Sequence, residues 1–243
     1  MKIPMQRATA LALAIVAWLA ALFGYYSAAD VDAFLQSDDT VTVSEIREGR
    51  LFDGPGERDA LIFYPGAKVE AAAYAPLLRK LAENGVDCFL VEMPLGLAIF
   101  GVNKADRLLK RYDYDRWYLA GHSLGGAMAA QYAAKHADAL SGLFLLGAYT
   151  ATDLTTVAFP VVYLYGTEDG VINRTKLEKG VLMSPLGTLT VELDGGNHAQ
   201  FGLYGPQKGD GEATISAEAQ QTMAANEILR VIKGDAQAQP AAA

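Results

Sequence analysis

The chain is poor in the residues that carry redox, metal and nucleic-acid chemistry. It has one cysteine, Cys88, so no intramolecular disulfide and no cysteine-rich metal site is possible. Cys88 lies in the apolar run Cys88-Phe89-Leu90-Val91, where a small buried thiol is expected. Only three histidines occur, with no His-Glu-x-x-His pattern among them, which argues against a zinc hydrolase. No stretch concentrates Lys or Arg, and the formal charge is 20 − 28 = −8. A duplex partner, which needs a basic stripe to displace counterions, is thereby excluded. No Gly-x-Gly-x-x-Gly is present, so dinucleotide binding lacks its phosphate loop. Hydrophobic residues make up 51% of 243 positions, with 24 Gly and only 9 Pro. That composition describes a globular chain with room for one sizeable core.

The amino terminus differs from the rest. Lys2 and Arg7 precede the uncharged run Ala8–Tyr26, and the first acids are Asp30 and Asp32. As a helix these 19 residues would rise about 28 Å, close to the hydrocarbon thickness of a bilayer. The charge order favours a cytoplasmic start with the remainder translocated. Residues 1–29 are therefore expected to be a transmembrane anchor or a signal peptide cut after Ser27-Ala28-Ala29. The protein would then be membrane-anchored with an extracytoplasmic domain, or secreted. Residues 30–233 are expected to form one domain, and 234–243, rich in Ala and Gln, a disordered tail.

From residue 40 onward, strand-like and helix-like patterns alternate. Val41–Val43 with Ile46, then Leu51-Phe52 before Asp53-Gly54-Pro55-Gly56, read as an antiparallel opening pair. Apolar strands are expected at 60–64, 87–92, 116–120, 142–146, 160–165 and 188–193. Helices are expected at 70–83, 97–112, 124–136, 172–182 and 216–233, the last capped by Ser216. Continuous apolar strands alternating with helices imply an α/β fold, a mostly parallel sheet covered on both faces.

One motif stands where such a sheet would present chemistry. Gly121-His122-Ser123-Leu124-Gly125 follows the apolar strand Trp117–Ala120 and opens an alanine-rich helix. A serine at the tip of a tight strand-to-helix turn is strained, so its neighbours two residues away must lack side chains. The turn lifts its hydroxyl above the sheet and aims the Leu124 N–H at a nascent oxyanion.

With this motif the chain resembles the α/β-hydrolase family over nearly all of residues 40–233. The resemblance implies an α/β-hydrolase fold of about seven or eight strands and a triad in the order serine, acid, histidine. Gly166-Thr167-Glu168-Asp169-Gly170 matches the family's acid loop and places the acid at Asp169, with Glu168 as the fallback; Asp194-Gly195-Gly196-Asn197-His198 looks like its histidine loop. Gly195–Gly205 and Tyr64–Val69 resemble a small bacterial subgroup that often has an N-terminal membrane segment. The resemblance implies Ser123 as nucleophile, His198 as base and Asp169 as its orienter. The second oxyanion donor would come from Pro65-Gly66-Ala67, at Ala67 or, second, Lys68.

The expected activity is that of a serine hydrolase cleaving an ester, thioester or related acyl bond of a small molecule, without cofactor or metal. A hydrolase-like protein that only binds an envelope ligand is the other reading. Gly147 to Phe159 is too short for a helical lid between strands, so no large cap and an open site are expected. Of the remaining histidines, His122 is expected to pack beneath the site and His136 to lie exposed at a helix end. Phe201, Leu203 and Tyr204 either wall the pocket or pack in the core, and Gly205–Ser216 could form a rim.

Overall fold

The structure, a computed structural model, describes residues 26–234. Eight strands form one sheet: β1 (Thr42–Ile46), β2 (Gly49–Asp53), β3 (Asp59–Tyr64), β4 (Val86–Val91), β5 (Arg116–His122), β6 (Gly142–Leu146), β7 (Val161–Gly166) and β8 (Leu189–Leu193). Their order is β1-β2-β4-β3-β5-β6-β7-β8. β2 pairs antiparallel with both β1 and β4, and the strands from β4 across to β8 are parallel. The sheet is thus the mostly parallel one that the alternating pattern implies.

The period of two along each strand divides the core. Leu61 and Phe63 face one layer and Ala60, Ile62 and Tyr64 the other. Helices α1 (Ala75–Glu83) and α5 (Ala217–Ile232) cover the first face through Leu77, Leu78, Leu81, Ala224 and Ile228. Helices α2 (Ala105–Arg111), α3 (Leu124–Ala133) and α4 (Arg174–Leu182) cover the second. Ser216 caps α5 by accepting the Ala219 N–H at 3.1 Å. Cys88 is buried.

Two helices differ from the sequence pattern. The stretch 97–112 is α-helical only from Ala105; short turns at Ala98–Phe100 and Val102–Lys104 precede it. The Tyr64 hydroxyl donates to the Val102 carbonyl at 2.6 Å and accepts the Ala105 N–H at 3.1 Å. That side chain satisfies groups a continuous helix would have paired internally. Likewise 70–83 opens as a turn, Ala71–Tyr74, and becomes α-helical just before Pro76, whose missing N–H suits a first turn.

No regular element separates Gly147 from Val161, and Leu154, Val157 and Phe159 there are buried; among the described residues no cap domain covers the sheet. Nor is any described helix long and apolar enough to cross a membrane. The expected span Ala8–Tyr26 lies, Tyr26 apart, outside the described residues, as does the tail from 235. Residues 26–29 are stitched to the folded body. Tyr26 pairs with Val69 as an isolated bridge, and the Ala29 N–H donates to the Leu203 carbonyl at 2.9 Å.

Candidate active site

All six parallel strands end at one edge, and the loops leaving that edge carry the residues singled out above. β5 pairs His122 with Leu146 of β6, so the turn after β5 lies beside Gly147. Ser123 has φ 52° and ψ −122°, and its N–H still donates to the Leu146 carbonyl at 2.9 Å. That conformation is costly for a residue with a Cβ and persists only because its surroundings enforce it. The flanking glycines show how. A Cβ on Gly121 would stand 2.6 Å from the Gly125 carbonyl carbon, and one on Gly125 would stand 2.1 Å from the Tyr64 carbonyl oxygen. Both approaches are to backbone and cannot be relieved by rotating a side chain.

Asp169 and His198, on the loops after β7 and β8, meet. His198 Nδ1 lies 2.9 Å from Asp169 Oδ2, and both side chains are almost wholly buried. Oδ1 of the same carboxylate accepts the N–H groups of Val171 at 2.9 Å and Ile172 at 2.8 Å. An ionised carboxylate accepts only, so the imidazole donates through Nδ1, and in the neutral ring this tautomer carries its lone pair on Nε2. Nε2 is buried and has no hydrogen-bond partner among the described residues. The ring lines a cleft of about 250 Å³ with Ser123, Leu124, Tyr149, Val171 and Ile172. Gly147, at φ +52°, fits under the pair: a Cβ there would stand 2.9 Å from His198 Nδ1 and 3.2 Å from Asp169 Oδ2.

The loop after β3 has few free donors. Pro65 has no N–H, Gly66 donates to the Tyr74 hydroxyl at 3.0 Å, and Lys68 donates to the Gly96 carbonyl at 2.7 Å. Val69 turns back to the Gly66 carbonyl and Glu70 donates to that of Tyr26. Lys68, the second choice for an oxyanion donor, therefore has its N–H already engaged, whereas Ala67 does not hold any of these bonds.

Asp210 is the residue the sequence pattern undervalued. Its carboxylate accepts four backbone N–H groups: His198 at 3.1 Å, Ala199 at 2.8 Å, Gly170 at 3.1 Å and Gly211 at 2.9 Å. One side chain thus ties the loop bearing the histidine to the loop bearing the acid. The signal for it is the pair Gly209 and Gly211 beside an acid. A Cβ on Gly211 would stand 2.1 Å from the Glu168 carbonyl oxygen, so only glycine lets the rim approach the acid loop.

The three aromatic-loop candidates do not line the serine cleft. Phe201 and Tyr204 are buried against the core, and the half-buried Leu203 lines a separate cavity of about 560 Å³. His136 stacks on Tyr132 with ring centroids 4.0 Å apart and is half-buried rather than exposed. Its Nδ1 sits 3.0 Å from the Tyr132 carbonyl.

His122 packs beneath the site, its ring centroid 4.5 Å from that of His198. Tyr74, a neutral phenol because burial pushes its ionisation up, donates a hydrogen bond to His122 Nδ1 at 2.8 Å. Burial, and secondly the nearby His198, hold His122 well below its ordinary value of 6.5. Its linkage runs one way. Above pH 6.5 the imidazole is neutral in folded and unfolded chains alike; below it only the unfolded chain takes up the proton. Thermal midpoints are expected to fall as pH drops from 7 to 5, by up to about 1.4 kcal/mol of stability per pH unit. His122→Asn, which keeps an acceptor for Tyr74, is expected to flatten that fall. An equally steep fall in the variant would assign it to other groups.

Known proteins share this architecture. Over 98 residues, 36% of this chain and 35% of the relative, the chain is 31% identical to a protein named as a non-heme haloperoxidase of Mycobacterium phage D29. The match spans about a third of that relative's length. The crystal structure of carboxylesterase CesB (YbfK) from Bacillus subtilis superposes with a TM-score of 0.59 at 10% identity, covering 84% of this chain and 95% of that one. At that identity the likeness speaks for the fold. A model of the alpha/beta hydrolase family matches residues 60–222, two thirds of the sequence from β3 into α5 and including the elbow, the acid loop and the histidine loop. The chain belongs to the alpha/beta hydrolase family.

Proposed function

We propose that the protein is a serine hydrolase that cleaves a small ester, or a related acyl bond, through an acyl-enzyme on Ser123. The observation that carries this reading is the buried Asp169–His198 pair at 2.9 Å, whose imidazole, with Nε2 unpartnered, lines the same cleft as the strained Ser123.

The roles follow from what each group can do. Ser123 Oγ attacks the acyl carbon while His198 Nε2 takes its proton, and Asp169 stabilises the imidazolium that results. The tetrahedral oxyanion is met by the N–H of Leu124, at the start of α3, and by that of Ala67. Each such donor lowers the barrier by roughly 3 kcal/mol. The imidazolium returns its proton to the leaving alcohol. Water then repeats the sequence on the acyl-enzyme, releasing the acid and restoring Ser123. The chemistry is acyl transfer onto Ser123 and then onto water, with each proton carried by His198.

The small cleft, walled by Tyr149, Val171 and Ile172, favours short acyl groups. Across p-nitrophenyl esters of rising acyl length, the rate is expected to be highest for acetate or butyrate and to fall beyond them. The same screen with a thioester and an anilide separates esterase from thioesterase and peptidase. A preference for long acyl chains would contradict the reading of the cleft.

The domain is proposed to lie outside the cytoplasmic membrane, held by the N-terminal segment within residues 1–29. Retention of the segment, rather than cleavage after Ala29, is supported by the bonds of residues 26–29. Tyr26 N–H donates to the Lys68 carbonyl at 2.7 Å, and Ala28 N–H to Glu70 Oε2 at 2.9 Å. A cut after Ala29 would strip these from the loop that carries Ala67.

A further inference from the structure

Six large apolar side chains are exposed among the described residues, and they are not scattered. Leu182 ends α4 and Leu186 lies between α4 and β8, at the edge of the sheet away from Ser123. The other four, Leu95, Ile99, Phe100 and Val171, lie in loops at the Ser123 edge. Leu95 is 83% exposed, Ile99 49% and Phe100 58%. All three occupy the loop between β4 and α2, which packs on α3 next to the elbow.

This loop is held in shape. Gly96 carbonyl accepts the Lys68 N–H at 2.7 Å, Phe100 N–H donates to the Leu97 carbonyl at 3.1 Å, and Lys104 Nζ reaches the Glu92 carbonyl at 2.6 Å. Leu95 stands at φ 55°, a conformation better suited to glycine or asparagine. Apolar groups are therefore fixed outward by backbone bonds, where water gives them nothing to bury against.

Tyr26, the last residue of the uncharged run Ala8–Tyr26, is bonded at the same place. Tyr26 bonds to Lys68 and Glu70, and Lys68 bonds in turn to Gly96. Tyr26 thus stands one hydrogen-bonded layer from the exposed loop. Charge supplies no part of a membrane hold. Residues 30–243 carry 18 − 28 = −10, so attraction to anionic headgroups is not available and any hold on a membrane must be apolar.

We propose that Leu95, Ile99 and Phe100 form a bilayer-docking surface. They enter the interface of the membrane holding Ala8–Tyr26 and press the Ser123 edge against it. This rests on the anchoring and hydrolase readings above and deepens them. The substrate is a short-chain acyl ester presented at the lipid surface.

The test uses the full chain reconstituted in phosphatidylcholine vesicles. An environment-sensitive fluorophore is placed on Phe100→Cys, on Leu95→Cys and, as control, on Leu186→Cys; the buried Cys88 leaves the new thiols selective. The fluorophore at 100 and 95 is expected to shift to the blue and to be quenched by nitroxide-bearing lipid, while that at 186 does neither. A solvent-like spectrum at 100 and 95 would overturn the proposal. So would a blue shift without lipid quenching, which would place residues 8–25 or a second copy over the patch. In a second arm, the combined Leu95→Ser, Ile99→Ser, Phe100→Ser variant is expected to hydrolyse 1-hexadecanoyl-2-acetyl-phosphatidylcholine in vesicles about tenfold more slowly than wild type. Its rate on dissolved p-nitrophenyl acetate should stay within about twofold, since these side chains lie outside the cleft. Equal rates on the vesicle ester would remove the substrate-presenting role. Failure of the wild type on both esters would sink the hydrolase reading instead, and the quenching would still decide the docking.

Discussion

Replacing Asp169 by Asn is expected to lower kcat on the order of 10⁴-fold while leaving the fold in place. The carboxylate does two jobs with two oxygens. Oδ1 holds the N–H groups of Val171 and Ile172, and Oδ2 orients His198. An asparagine keeps a carbonyl oxygen for the first job, so the loop between β7 and α4 should stand. Its amide then presents a donor to His198 Nδ1. The imidazole must offer a lone pair there and carry its proton on Nε2, where it can no longer take one from Ser123. Steady-state kinetics beside a thermal melt separate the outcomes. A large loss of kcat with a melt close to wild type is the expected pair. Wild-type turnover would remove Asp169 from the mechanism.

Asp210→Ala is expected to cost about 10²-fold in kcat/KM, because a shift of about 1 Å in the histidine loop is enough for that. It should also lower stability by roughly 2–4 kcal/mol, since four N–H groups lose an acceptor in a half-buried site. Asp210→Asn keeps an oxygen for His198, Gly170 and Gly211 and turns a donor only toward Ala199. It should fall between the two, within about tenfold of wild type. The loss should appear chiefly in kcat, as Asp210 is absent from the cleft lining. An alanine variant with unchanged kcat and melt would show that the loops hold their places unaided.

The parts of the site legible in the sequence are those whose cause is local. Ser123 needs φ 52° and Gly121 must leave room for the Gly125 carbonyl four positions on, so that much of the constraint is written side by side, whereas Gly125 makes way for the distant Tyr64 carbonyl. The alternation of apolar strands and helices gave the parallel sheet for a similar reason, each element declaring its own period. Asp169 and His198 were placed by likeness of loops to a family, and the structure brings them to 2.9 Å.

What the sequence could not display depends on distant partners. Asp210 acts on groups 40, 12 and 11 positions away, and nothing beside it records their directions. The Tyr64 hydroxyl that interrupts 97–112 comes from another strand. Phe201 and Tyr204 go to the core and Tyr149 to the cleft, because the path of each loop, rather than residue type, decides which side an aromatic faces.

The most direct measurement is covalent labelling of the folded protein by a fluorophosphonate, read by mass spectrometry of the modified peptide. The wild type should carry one adduct, on Ser123, and Ser123→Ala none. With His198→Ala the serine should persist but label far more slowly, having lost its base. An unlabelled wild type, or a Ser123→Ala variant labelled as readily, would contradict the assignment of Ser123 as an activated nucleophile.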